Sequence, residues 1–348
     1  MTSDKPASAP VSRRAVIGAG AVVLGGGVVA GAAGRMFKHR KLVAADGRAR
    51  QITLAWPNAA SDIVLNAAQD KGIFASHNLD VQIVDSIGSG SQAIDALAQG
   101  RASVAAAPIL TWLTRIDPAT SDARLFCGAR PCTFRLLVRK AAHIPRVDLM
   151  KTRTIAILQR DTADRLFFSI MLKRKGVDPN TEITWRYLGV DDVGPALMDG
   201  SIDAVAAHDP TIWQVLEKDR ALVNGLFNSV DGLYGQRSNL ALAVSAQTFA
   251  QDPVLTSVIA ASIRDAGKWV THNQDEAIAL LGPHAPQLSA ATLRDMVRHQ
   301  PPPGTTVGHD LRVQVEQYID ELKLLDMFTD VRNVTDYAHK LCVDPPSA

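Results

Sequence analysis

Gly88-Ser89-Gly90-Ser91 stands directly before an amphipathic helical pattern and holds the chain's densest anion-binding chemistry. The first turn of a helix presents unpaired amides and partial positive charge, and serine hydroxyls add donors. A plain loop in which Ser91 is the N-cap accounts for the same residues. Trp56-Pro57-Asn58 ends a strand pattern, where the indole either walls a cleft or packs in a core. Arg130 offers a two-pronged clamp for a carboxylate or sulfonate, or else pairs with a local acid. Cys132, two residues on, has no nameable base to make it a nucleophile. Thr162 can both donate to a ligand and cap the helix that follows it. His208-Asp209 suggests catalysis or a metal, but no further His, Cys or Glu accompanies it at ligand spacing. The preferred reading is a neutral His208 donor with Asp209 as its orienter or as a hinge partner. Tyr234 either closes over a ligand or packs in a hinge. No metal site and no cofactor are expected.

These residues fall at the ends of strands in an alternating pattern of short β-branched runs and helices. Strand patterns cover residues 52–56, 79–84 and 102–107, the last closed by Pro108, with helices over 61–71 and 91–99 stopped by Gly72 and Gly100. About a hundred residues later the order repeats. Strands cover 154–158, 182–187 and 202–207, a helix over 163–175 stops at Gly176, and a second helix ends at Gly200. Ala196-Leu197-Met198-Asp199-Gly200 echoes Ala96-Leu97-Ala98-Gln99-Gly100, and His208-Asp209-Pro210 falls where Ala107-Pro108 does. Such units form parallel sheets whose ligands bind beyond the carboxyl ends of the strands. Two of them with strand ends facing make a cleft that closes by hinge motion. A strand over 239–245 and helices over 253–281 and 310–325 complete the pattern, broken by Pro301-Pro302-Pro303-Gly304, and the tail after Val343 reads as frayed.

The chain has 348 residues, 47% hydrophobic and 21% charged, which suits an extensive apolar core and excludes a disordered chain. Net charge is +2, but the first fifty residues hold nine Lys/Arg against two Asp/Glu, leaving the rest at −5. A nucleic-acid-binding body is not expected. Cys127, Cys132 and Cys342 are too few for a disulfide framework, although Cys127 and Cys132 stand close enough in sequence to pair after export. Ser12-Arg13-Arg14-Ala15-Val16-Ile17 and the uncharged Gly/Ala/Val-rich run over 15–34 look like a twin-arginine export signal, with Ala30-Gly31-Ala32 as a cleavage site. The same run retained would anchor the protein in the membrane.

From about Gln51 to Leu281 the chain resembles the nitrate/sulfonate/taurine substrate-binding proteins of ABC importers. The likeness rests on Gln69-Asp70-Lys71-Gly72-Ile73-Phe74 with Leu79-Asp80-Val81, on Gly88-Ser89-Gly90-Ser91, and on Gly200-Ser201-Ile202-Asp203-Ala204. Ala266-Gly267-Lys268-Trp269-Val270 with Asn273 is similar to a late helix of that family. The resemblance implies the α/β, two-lobed type II periplasmic-binding-protein fold, each lobe a mostly parallel sheet flanked by helices with the ligand between them. The expected division is an export signal or anchor over 1–34 and a basic linker over 35–50. Lobe 1 is expected over 51–130 and 235–300, lobe 2 over 131–234, and a C-terminal helical extension over 301–348.

The expected function is therefore an exported, extracytoplasmic solute-binding protein without catalytic turnover. It would hand a small anion, such as a sulfonate or nitrate, to a membrane permease served by a separate ATPase. No phosphate-cradling Gly-x-x-x-x-Gly-Lys-Ser/Thr motif is present, which agrees with an ATPase on another chain. The expected binding residues are Trp56, Asn58, Ser89, Gly90, Ser91, Pro108, Arg130, Cys132, Thr162, His208, Asp209 and Tyr234. Two alternatives stand beside this reading. One is a membrane-tethered sensor. The other is an enzyme similar to the pyrimidine-synthesising proteins of the same fold, with His208, Cys132 and Asp164 under suspicion but without that relative's cysteine-rich cluster.

Overall fold

The computed structural model describes residues 48–158 and 162–346. The twin-arginine-like segment, the run over 15–34 and most of the basic linker lie outside the described residues. In chain order the first elements are β1 (Arg50–Ala55), α1 (Ile63–Asp70), α2 (Ile73–Ser76), β2 (Leu79–Ile83), α3 (Gly90–Ala98), β3 (Val104–Pro108), α4 (Ile109–Arg115) and β4 (Ala123–Pro131). The chain then enters β5 (Phe134–Arg139), β6 (Arg153–Ile157), α5 (Thr162–Arg174), β7 (Ile183–Tyr187), α6 (Val190–Met198), β8 (Ala204–His208), α7 (Thr211–Asp219) and β9 (Val223–Asn228). It returns through β10 (Ser238–Ser245), α8 (Ala246–Gln251), α9 (Pro253–His272), α10 (Gln274–Leu281) and α11 (Ala290–Arg298), and finishes with β11 (Thr306–Val307), α12 (Gly308–Lys323) and α13 (Val334–Leu341). Among the described residues no helix is long and apolar enough to cross a membrane.

Two sheets result, in the orders β11-β4-β10-β3-β1-β2 and β7-β6-β8-β5-β9. In each, three strands run parallel: β1 pairs with β2 and β3, and β6 pairs with β7 and β8. The strand arriving from the other half of the chain adds antiparallel at the inner edge of each trio, β10 against β3 and β5 against β8. The two lobes are thus the same unit built twice, with the inserted strand coming from opposite directions along the sequence. Strands β3 and β8, each flanked by a strand on both sides, are buried on both faces, which is why Val104-Ala105-Ala106-Ala107 and Ala204-Val205-Ala206-Ala207 are unbroken apolar runs. Gly100 and Gly200 close the equivalent helices at φ +68° and +76°, a left-handed cap that a side chain would strain.

Helices α1, α9 and α10 pack together over one face of the first sheet, and α3, α4, α12 and α13 serve the other. In the second sheet α6 and α7 share one apolar layer while α5, with Phe167 and Phe168, fills the opposite one. The residues beyond Pro301 are bound into this architecture, since β11 pairs with β4 and Tyr318 of α12 is fully buried. The expected fraying after Val343 is not found as far as Pro346. Ser257 donates to the Pro346 carbonyl at 2.6 Å, and Asp344 pairs with Arg312.

The chain passes between lobes at β4–β5 and again at β9–β10, and the amide of Cys132 in the first crossover donates to the Arg237 carbonyl in the second at 3.1 Å. A third link comes from α11, which packs on α7 and whose cap residue Ser289 donates to Glu217 at 3.0 Å.

Candidate functional site

The cleft lies between the carboxyl ends of the two parallel trios, where the βα turns of both lobes meet. Its cavity volume is about 80 Å³, room for a solute of a few heavy atoms. Five helices begin at its wall: Asp62 caps α1, Ser89 caps α3, Pro108 precedes α4, Ala163 lies in the first turn of α5, and Pro210 precedes α7. A parallel βα unit places helix N-termini there by construction, so the cleft collects their positive ends.

On the first lobe, the wall is organised by Asp62. One carboxylate oxygen caps α1 by accepting from the amides of Val64 and Leu65, both at 3.0 Å. The other accepts from the Trp56 indole at 3.0 Å and from Arg130 Nη1 at 2.5 Å. Trp56 is only 1% exposed, so its mass is core and its edge is cleft wall. Arg130, at the end of β4, is held against the cleft by a charge pair whose acidic member is buried. Asn58 takes left-handed backbone angles (φ 50°, ψ 44°), and its amide donates to the Ile87 carbonyl at 2.8 Å, tying the turn after β1 to the loop before α3.

That loop differs from the expectation in one respect. The N-cap of α3 is Ser89 and not Ser91: Ser89 Oγ accepts from the Gln92 amide at 3.2 Å, while Gln92 Oε1 accepts from the Gly88 amide at 2.7 Å. This is a reciprocal cap of the Ser-x-x-Gln type shifted by one residue. Gly88, Ser89 and Gly90 line the cleft; Ser91, one step into the helix, does not.

On the second lobe, His208 ends β8 opposite Phe134 of β5, with its ring edge against Phe134. Its Nδ1 lies 2.7 Å from Oδ1 of Asp164, which is buried to 1%. Asp164 and not Asp209 therefore orients this histidine. Asp209 faces a different network, accepting from Gln300 at 2.9 Å and from Arg135 Nε at 3.4 Å. Arg135 in turn stacks on Trp213 and donates to the His299 carbonyl. Burial pushes the Asp209 carboxyl above the ordinary aspartate range, against the opposing pull of Arg135.

Trp56, Asn58, Ser89, Gly90, Pro108, Arg130, His208 and Asp209 are thus brought to one cleft. Cys132 and Tyr234 are not. Both belong to the segments that cross between the lobes, which carry them to the side facing α12. Cys132 Sγ lies 3.1 Å from the Tyr318 hydroxyl, and the Tyr234 hydroxyl donates to Glu321 at 2.9 Å. Thr162 opens α5, but its side chain and the preceding Gln159, Arg160 and Asp161 lie outside the described residues. All three cysteines are free. Cys127 sits in the layer under α9 and Cys132 in the layer under α12, so a disulfide between them is ruled out by the sheet itself. Among the described residues no three His, Cys, Asp or Glu side chains gather to hold a metal ion.

Asp62, Asp164 and Asn239 also line the cleft and were not among the expected binding residues. Asp62 had a readable signal, an acidic residue directly before the apolar run Ile63-Val64-Leu65, the mark of a helix N-cap. Asn239 had none, because its place depends on β10 returning to the first sheet.

A two-lobed α/β fold with the cleft at the strand ends defines the periplasmic-binding-protein architecture. The chain belongs to the NMT1/THI5 like family, whose model matches residues 60–277. No curated protein matches its sequence. Among solved structures it is similar to the periplasmic aliphatic sulphonate binding protein of Escherichia coli, with a TM-score of 0.68 and 17% identity over 84% of this chain and 97% of that one. The alkanesulfonate-binding protein of Xanthomonas axonopodis pv. citri bound to MOPS gives a TM-score of 0.62 and 18% identity over 85% and 96% of the two chains. The periplasmic nitrate-binding protein of Synechocystis PCC 6803 gives 0.64 and 11% over 84% and 86%. At these identities the likeness is one of fold.

Proposed function

We propose that the protein is an exported solute-binding component of an ABC import system, which captures a small oxyanion by closing its two lobes and delivers it to a membrane permease. The observation that carries this reading is Arg130, aimed at the cleft by Asp62 and facing a space where helices of both lobes begin. Helix N-termini and a fixed guanidinium favour a compact anion without requiring a positively charged body. The sulphonate- and nitrate-binding proteins of the same fold support the solute class. Export through the twin-arginine-like segment is part of the proposal, as are the lobe boundaries near residues 130 and 235 and a permease partner with a separate ATPase. Catalysis is not: burial pushes the Cys132 thiol up to about 12, and it lies in the hinge.

The test is calorimetric titration of the purified protein with short-chain sulfonates, nitrate, bicarbonate and carboxylates, alongside Arg130→Ala. Saturable binding of one of these anions, weakened at least about tenfold in Arg130→Ala, is the expected result, a charge-assisted hydrogen bond being worth that much or more. Failure of every anion, or equal binding by Arg130→Ala, would remove the reading.

A further inference from the structure

Helix α11 grows out of the first lobe, yet hydrogen bonds at both its ends fasten to the second. Before it, Ala285 and Leu288 are buried in the apolar layer of α1, α9 and α10, and the helix itself packs on α10. After it, Pro303 seats on Gly267 of α9 so closely that a Cβ on Gly267 would lie 3.0 Å from the Pro303 carbonyl oxygen. The run Pro301-Pro302-Pro303 makes this second tie short and stiff. On the other side α11 meets α7, and the fastenings are polar. Ser289 Oγ donates to Glu217 of α7 at 3.0 Å at one end. At the other, Gln300 Nε2 donates to Asp209 Oδ2 at 2.9 Å, and the His299 carbonyl accepts from Arg135 Nη2 at 3.3 Å. Tied to the first lobe before and after, α11 cannot follow the second lobe far, so opening parts it from α7. Hydrogen bonds at such a joint are exchanged for bonds to water at small net cost. The joint also holds a defect. Trp213 of α7, its ring 6.0 Å from that of His299, has an indole N–H that is buried with no hydrogen-bond partner among the described residues. Parting the surfaces lets water reach that donor and offsets part of what the other bonds lose, which suits a contact that is made and broken.

We propose that α11 is a latch fixed to the first lobe, which stabilises the closed cleft by engaging Glu217 and Asp209 of the second lobe and releases both when the lobes part. This rests on the lobe closure in the function proposed above and is independent of which solute is bound. Asp209 lines the cleft, so one end of the latch fastens on the wall that a solute meets, while the other end, at Glu217, stands clear of it. A hydrogen bond of ordinary net strength is worth about fivefold in an equilibrium, so losing both ends raises the open-to-closed ratio by up to about 25-fold. The latch thus sets how much of the protein is ready to receive a solute and how much is already shut.

Small-angle X-ray scattering of the solute-free protein reads the lobe separation through the radius of gyration. Three forms are compared: the wild type, the double variant Glu217→Ala with Gln300→Met, and Glu217→Cys with Ser289→Cys joined by a short bis-maleimide, the three native cysteines being buried. The double variant loses both ends of the latch, and the cross-link makes one end permanent. The expected order is the double variant most extended and the cross-linked form most compact, with the wild type between them or equal to one of them. Because one form raises the open population and the other lowers it, a difference between the two is expected wherever the wild-type balance lies. Equal radii for all three overturn the inference, since α11 then rides on the second lobe or has no hold on opening. The reverse order overturns it too. Each form must show a cooperative melting transition. If the double variant does not, Glu217→Ala alone, which alters an exposed side chain, takes its place. Nitrate and ethanesulfonate are titrated into the wild type alongside. Failure of both to bind counts against the oxyanion reading and leaves the latch to stand or fall by scattering, which needs no solute.

Discussion

Asp62 does two jobs with one carboxylate, ending α1 and aiming Arg130, so its removal should be felt in both stability and binding. Asp62→Ala loses a helix cap and strands a partly buried guanidinium. A destabilisation of about 2–3 kcal/mol is expected from urea unfolding, together with weaker anion binding. The α3 cap gives a sharper contrast. Ser89→Ala should cost about 1 kcal/mol and weaken binding, because Ser89 both caps the helix and lines the cleft, whereas Ser91→Ala should do neither to a measurable degree. The spacing Ser89-x-x-Gln92 was legible as a reciprocal cap, and reading Ser91 as the cap missed it by two residues. What the residues alone could not convey was partnership. Nothing near His208 in sequence points to Asp164, 44 positions away, and the adjacent Asp209 is turned instead toward Arg135 and Gln300.

At the scale of elements, the repeated β-α-β-α-β order and its glycine stops were readable because each follows from local chemistry: strand periodicity, left-handed caps, proline at a strand end. The insertion of β10 into one trio and β5 into the other was not, since antiparallel addition by a distant segment leaves no local trace. The same holds for α12. Its Glu321, 2% exposed, accepts from Arg174 of α5 at 2.9 Å, from Arg237 at 2.7 Å and from Tyr234, joining the second lobe to the back of the hinge. Glu321→Ala should destabilise the fold by about 3 kcal/mol, because the half-buried Arg237 loses its charge partner. Asp209 makes a complementary pH prediction. With its carboxyl raised by burial in the folded state, the native protein binds more protons than the unfolded chain between the two pKa values. Its contribution is therefore fullest below the unfolded aspartate range of about 3.9 and declines as pH rises through the raised value. The stability difference between wild type and Asp209→Asn, followed by denaturant unfolding from about pH 3 upward, should drift in favour of the variant over that window.

At the scale of the whole molecule, the three cysteines report on opening. Cys127 and Cys342 lie in the first lobe and Cys132 in the hinge, all buried, and burial pushes each thiol up to about 12. Thiol reagents attack the thiolate, so the native protein should resist alkylation at neutral pH and react fully only when denatured. If exposure requires global unfolding, a bound anion slows it by mass action: at a concentration of 100 times its Kd the native state gains about 2.7 kcal/mol, and labelling should fall about 100-fold at all three sites. Lobe opening alone would behave differently. The hydrogen bond from the Cys132 amide to the Arg237 carbonyl joins the two crossovers, whereas Cys127 and Cys342 sit inside one sheet and its packed helices. Site-resolved mass spectrometry of partially alkylated protein separates the cases. Equal labelling of the three cysteines, equally suppressed by the anion, means that hinge motion keeps the crossovers packed and is carried by small backbone rotations. Cys132 reacting ahead of the others, and alone being protected by the anion, would mean that opening breaks the contact between crossovers, and the hinge would have to be placed at that hydrogen bond.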